Sequence, residues 1–225
     1  MFWIWIHLLQ FCVSNQSNSP EEDAINKSWR PIPAGRISLS QTKILRYYLC
    51  AGCLALSLHH NVLLASILIC LSTTAYNDLG LHRHMVWRNL CNAVGYASFE
   101  LGATQLAGSR TLPISTIVAL VTSSLIIFTT IQAADFRDEK GDRMEGKLTL
   151  PIAFPELSRV GTSLLLVFWS NLISTFWSID VSLSPPLLCM AFIVACRFYR
   201  YRNPEADRKS YLLYNSNRGW REPYT

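Results

Sequence analysis

The sequence predicts an all-α, multi-pass transmembrane helical bundle. Half of its 225 residues are apolar and only 16% are charged, whereas about a quarter of the residues in a soluble domain are charged. The apolar residues are gathered in blocks, and the polar stretches between them hold nearly all the charge. Only helices satisfy every backbone polar group within a single segment in lipid, so separate apolar blocks favour membrane helices.

The apolar blocks give candidate membrane spans in chain order. They cover residues 1–13, 44–58, 61–76, 90–108, 112–134, 160–178 and 184–198. Several blocks are shorter than the roughly 20 residues that a span needs, so we expect their helices to extend into flanking residues. No basic region precedes the first block, which favours a span there over a signal peptide.

Basic residues are distributed unevenly between the polar segments. When these segments are assigned alternately to two sides of a membrane, all of the 20 Lys and Arg residues except Arg46 and Arg110 fall on one side. Arg46 lies inside a span. The bias predicts that the charged side faces the cytosol, with the endoplasmic reticulum as the default membrane. It also accounts for the formal net charge of +5 without a nucleic-acid partner, and no obligate protein partner is indicated.

The cysteines do not suggest a disulfide framework. All seven lie within or beside apolar blocks, where a cysteine usually serves as a small packing residue. Cys50 and Cys53 have the spacing of a metal-binding pair, but no second pair accompanies them.

The polar loop after the block 112–134 combines acidic and basic residues. Asp135, Asp138 and Asp142 are spaced by three and four residues, which places them on one face if the preceding helix continues. Such carboxylates repel each other unless a cation binds, and Mg²⁺ binds carboxylate oxygens together with phosphate oxygens. The interleaved basic residues suit the remaining phosphate charge; they are Arg137, Lys140, Arg143 and Lys147.

The polar loop after the first block repeats this composition. Glu21, Glu22 and Asp23 precede Lys27 and Arg30. Two acidic clusters with nearby cations, both at the cytosolic ends of apolar helices, indicate a ligand with a diphosphate head and an apolar tail. The alternative is a pair of solvated loops of mixed charge.

At these two loops the sequence resembles the UbiA family of intramembrane prenyltransferases. The family carries the motif Asn-Lys-Pro-x-Arg-Pro-Ile-Pro-x-Gly-Arg, and residues 26–36 read NKSWRPIPAGR, with Ser28 in place of Pro. Asp138 and Asp142 match the family's Asp-x-x-x-Asp motif, and Asp135 lies one turn earlier.

The first acidic motif of the family is degenerate in this sequence. Asn15 matches its leading Asn, but Gln16 and Ser19 stand where aspartates are usual. This variant resembles the divergent fungal branch, which includes membrane terpene cyclases. A weaker match near Tyr76 aligns Arg88 and Asn92 with residues beside the substrate.

The resemblance implies a UbiA-like bundle that uses Mg²⁺ to ionise an isoprenyl diphosphate beside the lipid bilayer. It implies Asp138, Asp142 and Asp23 as catalytic residues. The implied metal ligands are Asn15, Asp23, Asp135, Asp138 and Asp142, and the implied diphosphate-binding residues are Lys27, Arg30, Arg88, Asn92 and Arg143. Tyr76 and Tyr96 are candidates to stabilise an allylic cation through their ring faces.

Three outcomes remain open for such a chain. The prenyl group can be transferred to an acceptor, which is the main prediction, or the cation can cyclise on its own double bonds, as in a terpene cyclase. The third alternative is a non-catalytic membrane protein, either an inactive paralogue or a transporter, for which Glu100 is the central intramembrane carboxylate.

The ends of the chain depart from the family pattern. The family has about nine spans and about seven are predicted for this chain. We therefore expect a single UbiA-like domain over residues 1–225 that lacks most of the expected length of the first two helices and the last helix. An incomplete gene model or a truncated pseudo-enzyme would have this pattern.

Overall fold

The computed structural model describes residues 1–108, 111–179 and 182–215, and it is all-helical in those ranges apart from loops and one isolated bridge. The α-helices are α1 (Phe2–Asn18), α2 (Pro20–Asn26), α3 (Leu39–His59), α4 (Leu63–Asn77), α5 (Met85–Leu106), α6 (Ile114–Thr130), α7 (Glu139–Met144), α8 (Leu150–Ala153), α9 (Pro155–Phe176), α10 (Ser184–Arg200) and α11 (Pro204–Tyr214). Two 3-10 helices span Leu81–Arg83 and Ile131–Ala134. The all-α prediction is confirmed. Arg110, Arg218 and Arg221, which entered the charge argument, lie outside the described residues.

Each predicted apolar block lies largely within a helix, and the short blocks are extended as expected. The block 44–58 lies inside α3, which begins five residues earlier, at Leu39. A capping box starts this helix: the Ser38 hydroxyl accepts a hydrogen bond from the Gln41 amide at 3.2 Å, and the Gln41 side chain accepts one from the Ser38 amide at 3.0 Å. These two bonds satisfy amides that the first helical turn leaves unpaired.

The stretch Ile114–Ala134 meets the length and composition expected of a membrane span. Among the described residues, no other helix meets both criteria, and α4 is apolar but shorter. The predicted number of about seven spans therefore stays a prediction.

The chain divides into two compact units. The first comprises Met1–Phe128 and Arg143–Leu148, and the second comprises Thr129–Asp142 and Thr149–Thr225. The single domain over residues 1–225 stays a prediction, and the two units are described separately below.

The interior of the first unit is unusually polar. There α1 packs on α3 and α4, and α4 packs on α5. The Trp3 indole donates a hydrogen bond to the Ser57 hydroxyl at 2.6 Å, and His7 Nε2 lies 2.8 Å from the Ser66 hydroxyl. Small hydroxyl side chains let helices approach closely, and each of these bonds joins α1 to a neighbouring helix.

The second unit is built on α9, α10 and α11. Its apolar core contains Phe136 and Phe198, and it also encloses the ion pair between Arg159 and Asp207. Large apolar side chains instead occupy outer surfaces; on α9 and α10 these include Leu164, Phe168, Leu172, Phe192 and Ile193. Apolar exteriors around polar interiors suit a lipid environment, where nothing is gained by hiding leucine from the solvent.

Replacing Gly102 by alanine should destabilise the first unit. A Cβ atom at this position of α5 would lie 2.3 Å from the Trp3 ring, and a ring held by a buried hydrogen bond has little room to shift. We expect a loss of about 1–3 kcal/mol, measured as a lower thermal midpoint of the purified protein in detergent.

Gly52→Ala is the matched control, because nothing lies within 4 Å of a Cβ atom at this helical position. It should leave the midpoint unchanged or raise it, since alanine favours helix by up to about 1 kcal/mol. Equal midpoints for the two variants would contradict the close packing of Trp3 on Gly102.

Candidate functional site

The first acidic segment places Asp23 beside Arg30. Asp23 lies on α2, which begins at Pro20, and its side chain is buried. Arg30 Nη1 donates to both carboxylate oxygens of Asp23, at 2.7 and 2.9 Å. The structure thus brings together two predicted site residues as an ion pair. A carboxylate has about four lone-pair positions, so this pairing leaves it able to accept further ligands.

A series of turns keeps the loop after α2 compact. The Ala34 amide donates to the Arg30 carbonyl at 2.9 Å, and the Arg36 amide donates to the Pro31 carbonyl at 2.8 Å. Gly35 has a φ of 69°, a left-handed conformation that glycine adopts without strain. Lys27 is half-buried at the start of this loop. The run of prolines and glycine therefore forms a structured loop that fixes the backbone of Arg30.

The end of α1, where Asn15 lies, is hydrogen-bonded to the end of α4, and the end of α4 is in turn paired with α3. The Asn77 amide group donates to the Ser14 hydroxyl at 3.1 Å. The Asp78 carboxylate accepts two hydrogen bonds from Arg46, the longer at 2.8 Å. The Arg46 guanidinium lowers the pKa of Asp78 below its ordinary value. The sequence analysis missed this pair and placed Arg46 only as a charge within a span. The only signal in the sequence was the opposite charge of two residues at ends of consecutive helices, α3 and α4.

Basic side chains gather around the 3-10 helix Leu81–Arg83 in the first unit. The Leu148 amide donates to the Arg83 carbonyl at 2.8 Å, which brings residues 143–148 against this turn. Lys147 is buried, with its amino group 3.1 Å from Glu145. Lys147, Arg83 and Arg88 are all close enough to His82 to lower its pKa. Lys147, noted in the sequence only as one interleaved cation, belongs to this group.

Arg88 and Asn92, both predicted to bind diphosphate, occupy successive turns of α5. Arg88 Nη1 donates to the His82 carbonyl at 3.4 Å, and its guanidinium lies over the Tyr76 ring at 6.0 Å. The Asn92 amide group donates to the Arg88 carbonyl at 2.9 Å. Asn92 therefore directs one donor to its own helix, while Arg88 lies beside the aromatic face proposed for the cation.

The second acidic segment is helical in part, but it is not a continuation of α6. After α6 ends at Thr130, the backbone tightens into the 3-10 helix Ile131–Ala134 and a turn before α7. Amides of Asp135, Asp138 and Asp142 donate in sequence to carbonyls three, three and four residues earlier, at 3.0, 3.1 and 3.0 Å. The condition of one continuous helix, under which the three carboxylates would share a face, is therefore not met. Residues three apart eclipse in a 3-10 turn, so this backbone keeps the three aspartates in successive turns.

These aspartates differ in exposure and surroundings. Asp135 and Asp142 are buried, at 2% and 1% exposed. The Asp138 side chain is 18% exposed, and its carboxylate lies 3.7 Å from Arg137 Nε. Asp138 is therefore the most exposed of the three aspartates.

The donor set of the second segment fits Mg²⁺. Within the described residues, no three acidic, histidine or cysteine side chains converge as a preformed cage. Mg²⁺ does not need such a cage, because it commonly keeps waters and binds one or two carboxylates plus substrate phosphate. Asp138 and Asp142, one helical turn apart, supply hard oxygen donors of this kind. Arg143, also predicted to bind phosphate, is exposed directly after Asp142.

Comparisons with known proteins agree with this fold and these motifs. A model of the UbiA prenyltransferase family matches residues 1–217. The chain is 28% identical over 195 residues to fumagillin beta-trans-bergamotene synthase of Aspergillus fumigatus, covering 86% of this chain and 66% of that protein. It is 30% identical over 216 residues to a polyprenyl transferase of Hericium erinaceus, covering 94% of this chain and 74% of that protein.

A solved structure of a digeranylgeranylglyceryl phosphate synthase in membranes has a similar fold. The TM-score is 0.65 at 22% identity, covering 95% of this chain and 80% of that one. The chain thus spans 66%, 74% and 80% of the lengths of these three proteins.

The stability of the first unit should depend on pH through His82. Burial is the main reason that the pKa of His82 lies below its ordinary value, and Lys147, Arg88 and Arg83 lower it further. The unfolded chain takes up this proton near pH 6.5, whereas the folded chain resists it. The stabilisation is therefore complete above about pH 6.5 and is lost as the pH falls towards the lower folded pKa.

In His82→Gln, this part of the pH dependence should disappear when thermal midpoints are compared between pH 8 and 5. His84→Gln, which removes an exposed imidazole two residues away, is the control and should retain the parent's slope. A His82→Gln slope identical to the parent's would show that His82 does not take up a proton on unfolding.

Proposed function

Because the chain belongs to the UbiA prenyltransferase family, whose members are membrane-embedded, we propose that it is a Mg²⁺-dependent intramembrane prenyltransferase. It would ionise an isoprenyl diphosphate and transfer the prenyl group to an acceptor. The observation that carries this proposal is the second acidic segment, where Asp138 and Asp142 follow each other by one helical turn and cations flank them. We further propose that the acidic segments face the cytosol, with the endoplasmic reticulum as the default membrane.

Each predicted site residue receives a role under this proposal. Asp138 and Asp142 are the principal metal ligands. Asp23, Asp135 and Asn15 complete the metal-binding set, with Asp23 held in place by Arg30. The phosphate oxygens are bound by cations and one amide; these are Lys27, Arg30, Arg88, Arg143 and Asn92. Arginine suits this task because its planar fork matches phosphate geometry.

The first chemical step is heterolysis of the bond between the allylic carbon and the diphosphate oxygen. The electron pair leaves on the diphosphate, whose growing negative charge would be stabilised by hydrogen bonds from the basic side chains. Mg²⁺ held by Asp138 and Asp142 would supply further electrostatic stabilisation there. This step requires a positive charge for the leaving diphosphate and an electron-rich surface for the allylic carbocation. Arg88, which lies beside Tyr76, would bind the diphosphate, and the Tyr76 ring would stabilise the carbocation. An acceptor nucleophile then bonds to the carbocation and loses a proton.

Terpene cyclisation is the second candidate function, and the relatives give it specific support. The chain is 28% identical to a protein named as a bergamotene synthase and 30% identical to one named as a polyprenyl transferase. In a cyclase the same ionisation occurs, but a double bond of the substrate captures the cation and a base removes the final proton. The product therefore distinguishes the two candidates, whereas diphosphate release does not.

Replacing Asp138 or Asp142 by asparagine should lower turnover by about 100-fold or more, because each change removes a charged metal ligand at the leaving group. Microsomes expressing the chain would receive labelled geranyl, farnesyl or geranylgeranyl diphosphate with Mg²⁺, with and without aromatic acceptors. Diphosphate release and organic products would be followed together. A prenylated acceptor would identify a transferase, and a cyclic hydrocarbon formed without acceptor would identify a cyclase.

Glu156→Gln is the matched control, since it also removes one carboxylate but from an exposed pair with Arg202. It should keep the parent's activity. Turnover that survives in Asp138→Asn and Asp142→Asn would contradict the proposed site. A well-expressed parent that releases no diphosphate would contradict the enzyme proposal and favour the non-catalytic alternative.

A further inference from the structure

One face of α11 contacts the second acidic segment and its support within the second unit. The helix begins after Asn203, whose side chain accepts a hydrogen bond from the Ala206 amide at 2.8 Å. Asp207, Tyr211 and Tyr214 follow at spacings of four and three residues, so they lie on the same helical face. This face reaches the acidic segment directly through its two tyrosines and indirectly through Asp207.

Asp207 fixes the helix and, through Arg159, the backbone beside Asp135. Two guanidinium nitrogens of Arg159 donate to the two Asp207 oxygens, each at 2.8 Å, and one also donates to the Phe198 carbonyl at 3.0 Å. The guanidinium lies 4.4 Å over the ring of Phe136. Because Phe136 follows Asp135 directly, this stack restricts the backbone from which the neighbouring aspartates extend.

Tyr214 contacts the end of α6, just before the acidic segment. Its hydroxyl lies 2.8 Å from the Thr130 hydroxyl, at the residue where α6 ends. Tyr211 and Tyr214 are themselves stacked, with ring centroids 5.7 Å apart. The two tyrosine rings are therefore in contact, so a displacement of one ring would also displace the other.

The guanidinium of Arg137 packs on the ring of Tyr211. The Arg137 guanidinium lies 4.7 Å from the Tyr211 centroid, within the range of a cation–π contact. In this position Arg137 Nε is 3.7 Å from Asp138 Oδ2, too far for a hydrogen bond. Within the described part of the chain, the buried Nε–H group has no hydrogen-bond partner. A buried donor without a hydrogen-bond acceptor lowers the stability of the protein, and a bound acceptor would remove this free-energy cost.

We propose that Arg137 is an additional phosphate-binding residue of the acidic segment and that Tyr211 is its positioning residue. This inference rests on the proposed function and deepens it. Tyr211 keeps the guanidinium close enough to Asp138 to balance its charge, but holds it out of a direct hydrogen bond that would compete with the metal. The Nε–H group, which has no hydrogen-bond partner in the described part of the chain, would then donate to an oxygen of the diphosphate.

The test measures binding of inorganic pyrophosphate with Mg²⁺ to the purified full chain by calorimetry, which needs no turnover. Arg137→Gln should weaken binding by about 10- to 100-fold, the effect of losing a charge-assisted hydrogen bond. Arg137→Lys, which keeps the charge but lacks the Nε–H group, should fall between the parent and Arg137→Gln. Binding should be about 5-fold weaker in Tyr211→Leu than in Tyr211→Phe, which retains the ring.

Lys209→Gln is the control for charge, because it removes an exposed cation from the opposite face of α11. It should bind like the parent. Thermal midpoints would identify any variant that fails to fold, and hydrogen exchange of residues 129–142 would show whether Tyr211→Leu loosens the segment more than Tyr211→Phe does.

The outcomes separate this inference from the proposed function. Pyrophosphate binding that is lost in Asp138→Asn but unchanged in Arg137→Gln overturns the inference alone. Equal binding and equal exchange in Tyr211→Leu and Tyr211→Phe overturn the positioning role. A parent chain that binds no pyrophosphate with Mg²⁺ overturns both proposals.

Discussion

The buried ion pair between Arg159 and Asp207 is the interaction on which the second unit depends most. Removing two charges from water costs several kcal/mol for each ion, and that cost is offset only when the geometry is good and further hydrogen bonds are made. The pair meets this condition with two 2.8 Å bonds and the added carbonyl of Phe198. Its guanidinium face also covers Phe136. One interaction therefore joins α9, α10 and α11 and at the same time orients the residues that precede Asp138.

Three arginine–aspartate pairs among the described residues differ in the distance between the guanidinium and the carboxylate. The Arg159–Asp207 and Arg30–Asp23 pairs have bonds of 2.7 to 2.9 Å, whereas Arg137 stands 3.7 Å from Asp138. A pair with direct hydrogen bonds neutralises its carboxylate and holds two structural elements together. At a separation of 3.7 Å the opposite charges still attract each other, but no direct hydrogen bond forms. The separation leaves Arg137 Nε without a hydrogen-bond partner among the described residues, which is the observation behind the phosphate-binding role proposed for Arg137.

The sequence was sufficient for the features that depend on local pattern. Apolar blocks located the long helices, as block 184–198 did for α10, and the spacing of Asp135, Asp138 and Asp142 located the acidic segment. It was insufficient where contacts join distant residues. Neither the Arg46–Asp78 pair nor the stack of Arg137 on Tyr211 has a local signal, because each joins residues more than 30 positions apart. The change from α-helix to 3-10 helix after Thr130 was also missed, since tertiary contacts such as Tyr214 with Thr130 decide it.

The chain is similar to both a transferase and a cyclase, and the positions of its candidate site residues can account for this. Carboxylates and cations of the candidate site lie on polar segments and near helix ends, and the task proposed for them, ionising a diphosphate, would be common to both reactions. The fate of the proposed carbocation would depend instead on which nucleophile lies next to it between the helices. A few side chains on α4 and α5 can change that interior without touching the acidic segments. Tyr76 is well placed for such a role, because it is near Arg88 yet belongs to a helix whose other residues are mostly apolar.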